Sequence, residues 1–485
     1  MKSTITFKSQ KGNNYIYDNS LSYLINCHPI LNEIIMSDKD KNDMMMRIIA
    51  CFPDTTKEEF EYYYQKYLFL KDSGLFKEMN LEKRLSGRIS SAIVDEQIAN
   101  VNDVVFQVTN LCNLSCVYCC YGDLYDNSDR DTTHNVMDFT MAKRLIDFLI
   151  EKWNSTLNLS HNGHIMIGFY GGEPLTNFSI IKQIVEYTKT IRLNNNATFL
   201  YNMTTNSMLL EKYMDFLVEH DFSLLLSLDG NEIHNALRID INGNPSFTRV
   251  FKNIKALQQT YPDFFEHKVR FNSVLNKYSN VQEVQQFIQE EFHKETGIET
   301  ITYSGIKKER LDDFFKIFRN YDENEETNNR TKDAGFFFYY HIGNAFRHHI
   351  DLLRQNKIDT PRIPTGTCLP FWKKMFITPG GNIYACERIG FKHVLGKVCE
   401  NIIIDSQSIA DKYNQFYDTV SKQCLHCYHA DSCPSCMMQF EQINGNPVCP
   451  SVMTKKKYEE YLSEIISYLE THPDTYNKVN KMIFA

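Results

Sequence analysis

Between Asp103 and Tyr303 the chain repeats one pattern: a short apolar, β-branched run, then a longer stretch whose apolar residues recur at helical spacing. The short runs are Asp103–Thr109, Ile165–Tyr170, Thr198–Thr204, Phe222–Leu228, Val269–Leu275 and Thr300–Tyr303. Helical patterns such as Met141–Trp153, Ile180–Arg192, Leu210–Glu219 and Val281–Phe292 lie between them. Strands joined through helices cannot pair as hairpins, so this order implies a parallel sheet with right-handed crossovers. Loops leaving the carboxyl ends of such strands share one rim, and reactive groups are expected there.

The loop after the first strand carries Cys112-Asn-Leu-Ser-Cys116-Val-Tyr-Cys119. Thiolates are soft ligands suited to iron–sulfur clusters or zinc, and three of them leave open the position a fourth would close. Cysteines that only pack are scattered rather than spaced. Cys120 falls one residue outside the spacing and reads as a neighbour. The second strand ends in Gly171-Gly172-Glu173-Pro174, where glycines admit a close ligand and the carboxylate can meet an ammonium. The third ends in Thr204-Thr205-Asn206-Ser207, polar groups that suit a ribose or carboxylate, or else cap a helix. The fourth ends in Ser227-Leu-Asp229-Gly230, followed by His234 and Arg238; Asp229 can also cap a turn.

The CxxxCxxC spacing with Tyr118 resembles the signature of radical S-adenosylmethionine (SAM) enzymes, and the GGEP and SLDG…H…R segments resemble further motifs of that family. The resemblance covers about residues 100 to 305 and implies an α/β fold with a partial (β/α)6 barrel over 101–306. It implies a [4Fe–4S] cluster on Cys112, Cys116 and Cys119 that binds SAM. It also implies a SAM pocket of Tyr118, Gly171, Gly172, Glu173, Thr205, Asn206, Ser227 and Arg238, with Glu173 on the amino group, Ser227 on the ribose and Arg238 on the carboxylate.

Residues 307–360 read as a polar helical bridge, and the adjacent His348 and His349 would point to different sides of a helix. Then come Cys368, Gly381-Asn-Ile-Tyr-Ala-Cys386, Cys424-x2-Cys427-x5-Cys433-x2-Cys436 and Cys449. Seven cysteines exceed what one zinc ion uses. The pattern resembles the SPASM domain, an auxiliary-cluster module of radical SAM peptide modifiers, here over 361–450; the last pair has two residues between its cysteines where the family has three. By that resemblance Cys424, Cys427, Cys433 and Cys449 bind one auxiliary cluster. Cys368, Cys386 and Cys436 bind a second, whose fourth position is open or filled by Cys399. Glu387, next to Cys386, resembles the place of an acidic base in sulfatase-maturing relatives and is the candidate catalytic proton acceptor; a salt bridge with Arg388 or another cation is the alternative. Residues 451–485 read as a closing helix.

Residues 1–77 start with strands at Thr4–Lys8 and Asn14–Tyr17, then helices at His28–Met36 and Thr56–Tyr67, the latter with an N-terminal capping signal. Order and length look like a small winged-helix domain and resemble leader-peptide recognition domains, which bind by adding a strand to a sheet edge; a simple structural cap is the alternative. In the linker 78–100, Leu81, Leu85, Ile89 and Ile93 fall along one side of a helix.

The 60 acidic against 52 basic residues leave a net charge of −8, which gives no attraction for a nucleic acid backbone. No long uncharged apolar stretch suggests a membrane span, no secretory signal opens the chain, and a cytoplasmic location is expected. The combined reading is a radical SAM peptide maturase. Its cofactors are SAM and three [4Fe–4S] clusters, two of them auxiliary, and its partners a leader-bearing peptide and a low-potential flavodoxin or ferredoxin-type donor. An anaerobic sulfatase-maturing enzyme and an iron–sulfur electron carrier or regulator are the rivals.

Overall fold

Two periods in the sequence, 2.0 along strands and 3.6 along helices, are both realised in the computed structural model, which describes residues 4–19, 23–37, 40–127, 134–161, 163–302, 305–319, 361–443 and 446–474. In chain order the strands are β1 (Thr4–Lys8), β2 (Asn14–Asp18), β3 (Tyr23–Asn26), β4 (Asp103–Thr109), β5 (His164–Gly171), β6 (Thr198–Thr205), β7 (Ser223–Ser227), β8 (Val269–Leu275), β9 (Thr296–Thr300), β10 (Met375–Ile377), β11 (Asn382–Tyr384), β12 (Gly396–Val398), β13 (Ile402–Ile403), β14 (Glu441–Ile443) and β15 (Asn446–Val448). The helices are α1 (Pro29–Met36), α2 (Lys41–Cys51), α3 (Lys57–Asp72), α4 (Leu81–Arg84), α5 (Ser91–Asn100), α6 (Phe139–Trp153), α7 (Phe178–Thr190), α8 (Leu210–Glu219), α9 (Phe247–Thr260), α10 (Pro262–Lys268), α11 (Val281–Phe292), α12 (Leu311–Ile317), α13 (Ser406–Cys424) and α14 (Lys455–Thr471). Among the described residues, no helix is long and apolar enough to cross a membrane.

The chain divides into two units. Described residues 4–89, 361–367 and 413–474 form one, and 90–319 with 368–412 form the other. In the second unit, β4 to β9 lie side by side in chain order, all parallel. β10 adds parallel to the other side of β4, with Met375 opposite Val104, and β11, β12 and β13 continue antiparallel. Along β5 to β8 one row of side chains, including Ile167, Phe169, Met203, Leu226 and Phe271, is buried, while the alternate row, including Tyr170, Asn202 and Ser227, is half-exposed. The buried row faces the crossover helices, each large apolar side chain contributing about 1.5–3 kcal/mol, and the half-exposed row lines the accessible face. The sixth strand is Thr296–Thr300 rather than Thr300–Tyr303: Ile298 packs with Leu275, Val281 and Val284, and that burial outweighs the stronger β-propensity of the later residues, of which 303–304 lie outside the described residues.

In the first unit the expected pair of strands gains a third, giving the antiparallel order β1-β2-β3. Ile16 faces Cys27 and Leu31 beneath α1 and α3, whereas Ile5, Phe7 and Tyr17 face Tyr458, Leu462 and Ile466 of α14. The carboxyl-terminal helix therefore closes the amino-terminal sheet. Polar bonds fix its register: the Gln10 N–H donates to Ser467 Oγ at 2.8 Å, and Asn13 and Tyr15 both donate to Glu470 Oε1 at 2.8 Å. The linker is two short helices rather than one, because Asn80 caps α4, Ser90 caps α5, and Ser86-Gly87 between them favours no helix. The cysteine-rich region is also divided, residues 368–412 extending the parallel sheet and 413–450 belonging to the first unit. The bridge segments around Phe336–Tyr340 and His348-His349 lie outside the described residues.

Candidate functional site

β4 delivers the chain to the rim at Thr109, and the loop beyond it is tied back by Ser115 N–H donating to Ile239 O at 2.8 Å and Val117 N–H to Leu237 O at 3.0 Å. Cys112, Cys116 and Cys119 are thereby gathered. Burial pushes the Cys112 thiol up to about 11 and the Cys116 thiol up to about 12, and the nearby Cys119 thiol adds to both rises. Among the described residues no three Cys, His, Asp or Glu side chains are drawn close enough for one ion. A single zinc ion with sulfur at about 2.3 Å would need sulfur atoms within about 4 Å of each other. Three thiols carried on one eight-residue loop, with a fourth position left open, suit an iron–sulfur cluster.

The two glycines that end β5 serve the protein itself. Gly171 has φ +149°, and a Cβ there would stand 2.3 Å from Thr109 O; one on Gly172 would stand 2.3 Å from Leu111 O. Only glycine lets β5 lie so close to the start of the cysteine loop. Glu173 also differs from expectation. Its side chain is fully buried and accepts from Thr205 Oγ1 at 2.8 Å, Asn206 N at 2.7 Å and Leu175 N at 3.1 Å, which leaves no surface for a ligand ammonium. Burial pushes its carboxyl up to about 7, with those three donors pulling the other way. Thr205 and Asn206 are therefore spent on Glu173 and the cysteine loop rather than turned to a ribose. Asn206 Nδ2 reaches Asn113 Oδ1 at 2.7 Å and Cys112 Sγ at 3.6 Å.

Beyond β7, Asp229 is fully buried and organises its neighbours. It accepts from the Tyr118 hydroxyl, from Arg238 Nη2 at 2.9 Å and from Val274 N at 2.9 Å. The Arg238 guanidinium lies 5.5 Å from the Tyr118 ring centroid. Tyr118 is packed among Leu124, Tyr125, Leu237 and Phe314, so it braces the loop from behind. Arg238 Nε is buried without a hydrogen-bond partner, a donor that an incoming carboxylate would satisfy. Ser227 closes β7 on the half-exposed row. His234 is bonded through Nε2 to Glu283 at 3.1 Å. The carboxylate role of Arg238 thus fits the structure, and Asp229, whose sequence signal was a turn cap, is the residue that aims it.

Glu387 lies elsewhere on the sheet. Its carboxylate pairs with Lys374 at 3.3 Å, and Lys374 also stands 3.7 Å from Asp103, at the amino end of β4. Six residues of parallel strand, roughly 20 Å, separate Asp103 from Thr109 where the cysteine loop departs. The ion pair anticipated as the alternative is the one present, with Lys374 as partner, while Arg388 pairs with Glu299 at 3.4 Å.

In the first unit a cavity of about 200 Å³ is lined by Cys424, Cys427, Cys433 and Cys449 together with His429, Met453 and Tyr461. Burial pushes Cys424 up to about 12 and raises Cys427 and Cys449, and the neighbouring Cys433 thiol adds to the rise of all three. These are the four cysteines that the resemblance to the SPASM domain groups together, and a cavity walled by four thiols fits a cluster. Cys436 is not among its lining residues. In the second unit, Asn382 pairs with Lys397 and Ile383 with Gly396. That register puts Cys399 and Cys386 at opposite ends of the β11–β12 hairpin, which argues against Cys399 as a co-ligand of Cys386.

The chain matches the radical SAM superfamily over residues 106–290. It is 37% identical over 162 residues to an uncharacterised protein of Methanocaldococcus jannaschii, covering 33% of this chain and 50% of that one. It is 26% identical over 388 residues to the radical SAM cyclopropyl synthase TigE of Paramaledivibacter caminithermalis, covering 75% and 72%. A cysteine-type anaerobic sulfatase-maturating enzyme of Clostridium novyi is 29% identical over 171 residues, covering 34% and 41%. The chain thus spans about half or less of the length of two of these relatives. The solved structure of anSMEcpe with bound AdoMet superposes with a TM-score of 0.51 at 19% identity, covering 78% of this chain and all of that one, which reports a shared fold. Strand order, thiol loop and family match agree: residues 106–290 of this chain are a radical SAM domain.

Proposed function

We propose that this protein is a radical SAM peptide maturase. The observation that carries the reading is the convergence, on one rim, of the Cys112/Cys116/Cys119 loop with Arg238, whose buried Nε lacks an acceptor. When bound and reduced, a [4Fe–4S] cluster with SAM supplies a 5′-deoxyadenosyl radical that removes hydrogen from a substrate carbon. The chain's own residues do the holding: the three thiols take the cluster, Arg238, aimed by Asp229, takes the SAM carboxylate, and Ser227 offers a hydroxyl to the ribose. Cys424, Cys427, Cys433 and Cys449 would hold one auxiliary cluster and Cys368, Cys386 and Cys436 a second, able to take up the electron left when the new bond closes, while a flavodoxin or ferredoxin-type donor supplies the electron that reduces the SAM-binding cluster. The cavity walled by the first set supports that site in particular.

For the substrate, the first unit offers β3 as an edge strand, with the exposed Tyr62 and Phe69 on α3 of the same unit. An extended leader peptide adds to such an edge through backbone bonds and lays alternate side chains on the apolar surface. Among radical modifications, similarity to a cyclopropyl synthase over 75% of this chain favours carbon–carbon ring closure, whereas similarity to the sulfatase-maturating enzyme spans only 34%. The test is mass spectrometry of the short peptide encoded beside the gene, incubated with reduced full-length protein and SAM. A loss of two hydrogens that requires SAM is expected. No change in that peptide, with a sulfatase-derived cysteine peptide converted to formylglycine instead, would establish the rival activity.

A further inference from the structure

We propose that Asn206 is a positioning residue for the cluster: its carboxamide donates to the Cys112 thiolate and so sets how readily that cluster takes an electron. The inference rests on the radical SAM reading of residues 106–290 and assigns Asn206 a task other than contact with SAM. Asn206 is 8% exposed, at the end of β6. Its Nδ2 lies 3.6 Å from Cys112 Sγ and 2.7 Å from Asn113 Oδ1, while its Oδ1 accepts from Met208 N at 3.0 Å. The Met208 bond fixes which end of the amide is which: an atom that accepts from a backbone N–H is the oxygen, so the group facing Cys112 is the NH₂.

The donor is itself held. The Asn206 N–H donates to Glu173 Oε2 at 2.7 Å, and Glu173 Oε1 takes the Thr205 hydroxyl at 2.8 Å. Glu173, fully buried, thus works as the clamp that keeps the carboxamide aimed. A second donor, Leu114 N–H, reaches the same sulfur at 3.3 Å. Reduction of a cluster adds negative charge that spreads onto its sulfur ligands. N–H dipoles directed at a ligand sulfur favour the reduced state and raise the potential, the more so in a dry site. The bland alternative is that Asn206 only braces the turn between Thr205 and Met208.

The experiment is an EPR-monitored redox titration of anaerobically reconstituted full-length protein, following the signal that changes when SAM is added. In Asn206→Ala the ratio of reduced to oxidised cluster at a fixed potential should fall about tenfold, equal to about 59 mV for a one-electron couple. Asn206→Asp, which lacks the N–H and adds a negative charge, should fall at least as far. Iron content should match the unaltered protein in both. Wild-type ratios in both variants would overturn the inference, as would loss of iron with no shift in the cluster that remains. If the unaltered protein shows no SAM-responsive signal at all, the radical SAM reading fails, and this inference with it.

Discussion

Leu462→Ala probes the contact on which the first unit turns. Leu462 is fully buried on α14 and packs with Ile5, Phe7 and Tyr17 of the amino-terminal sheet. Truncating it removes about three methylene-sized groups from water-free surroundings and leaves a cavity, at a cost of roughly 2–5 kcal/mol. A three-stranded sheet has little stability apart from the elements that pack on it, so the loss should appear as opening of β1 and β2. At about 1.4 kcal/mol per tenfold, backbone amides of those strands should exchange with deuterium roughly 30-fold to several thousand-fold faster, up to the limit set by global unfolding. Hydrogen-exchange mass spectrometry reads this directly, with β4 to β6 as the internal reference. Unchanged protection in β1 and β2, with faster exchange confined to α14, would show that the sheet stands without the helix. The same coupling implies that deleting residues 1–77 exposes the apolar face of α14.

Two further predictions follow from the placement of single carboxylates. Glu173 has a carboxyl raised from 4.5 to about 7 by burial, so the native state holds a proton that the unfolded state releases between those values; its contribution to stability is fullest below pH 4.5 and is lost as pH rises through 7, by roughly 3 kcal/mol at most. Denaturant titrations at pH 5 and pH 7.5 should show that drop in the unaltered protein and not in Glu173→Gln, and equal slopes in both would contradict the burial argument. Glu387→Gln should leave both SAM cleavage and peptide product close to normal, since its carboxylate is engaged with Lys374; a fall in product by orders of magnitude with SAM cleavage intact would make it the proton acceptor after all.

The parallel-sheet region was legible because its signals are local and repeated: β4 and β8 occupy the residues their apolar runs indicate, and α8 and α11 match their periodicities. The cysteine spacing likewise marked the thiol loop, and the resemblance to the SPASM domain grouped the four cysteines that line the first-unit cavity. Long-range partners were not legible. No local pattern in Ser451–His472 says that its apolar stripe meets Ile5 and Phe7, more than 440 residues earlier in the chain. Glu173, Thr205 and Asn206 have the composition of ligand-binding groups, yet polar atoms can equally satisfy one another, and only the register of β5 against β6 shows that here they do. Glu387 was placed by its neighbour Cys386, whereas antiparallel pairing of β10 and β11 carries it to Lys374 and the amino end of β4.

The central claim is that Cys112, Cys116 and Cys119 hold a cluster that cleaves SAM. Full-length protein, reconstituted anaerobically with iron and sulfide and reduced with dithionite, should convert SAM to 5′-deoxyadenosine and methionine, read by liquid chromatography with mass detection. The triple variant Cys112→Ala, Cys116→Ala, Cys119→Ala should form neither, while keeping iron at its carboxyl-terminal cysteines. 5′-Deoxyadenosine formed at the normal rate by the triple variant would contradict the account at its centre.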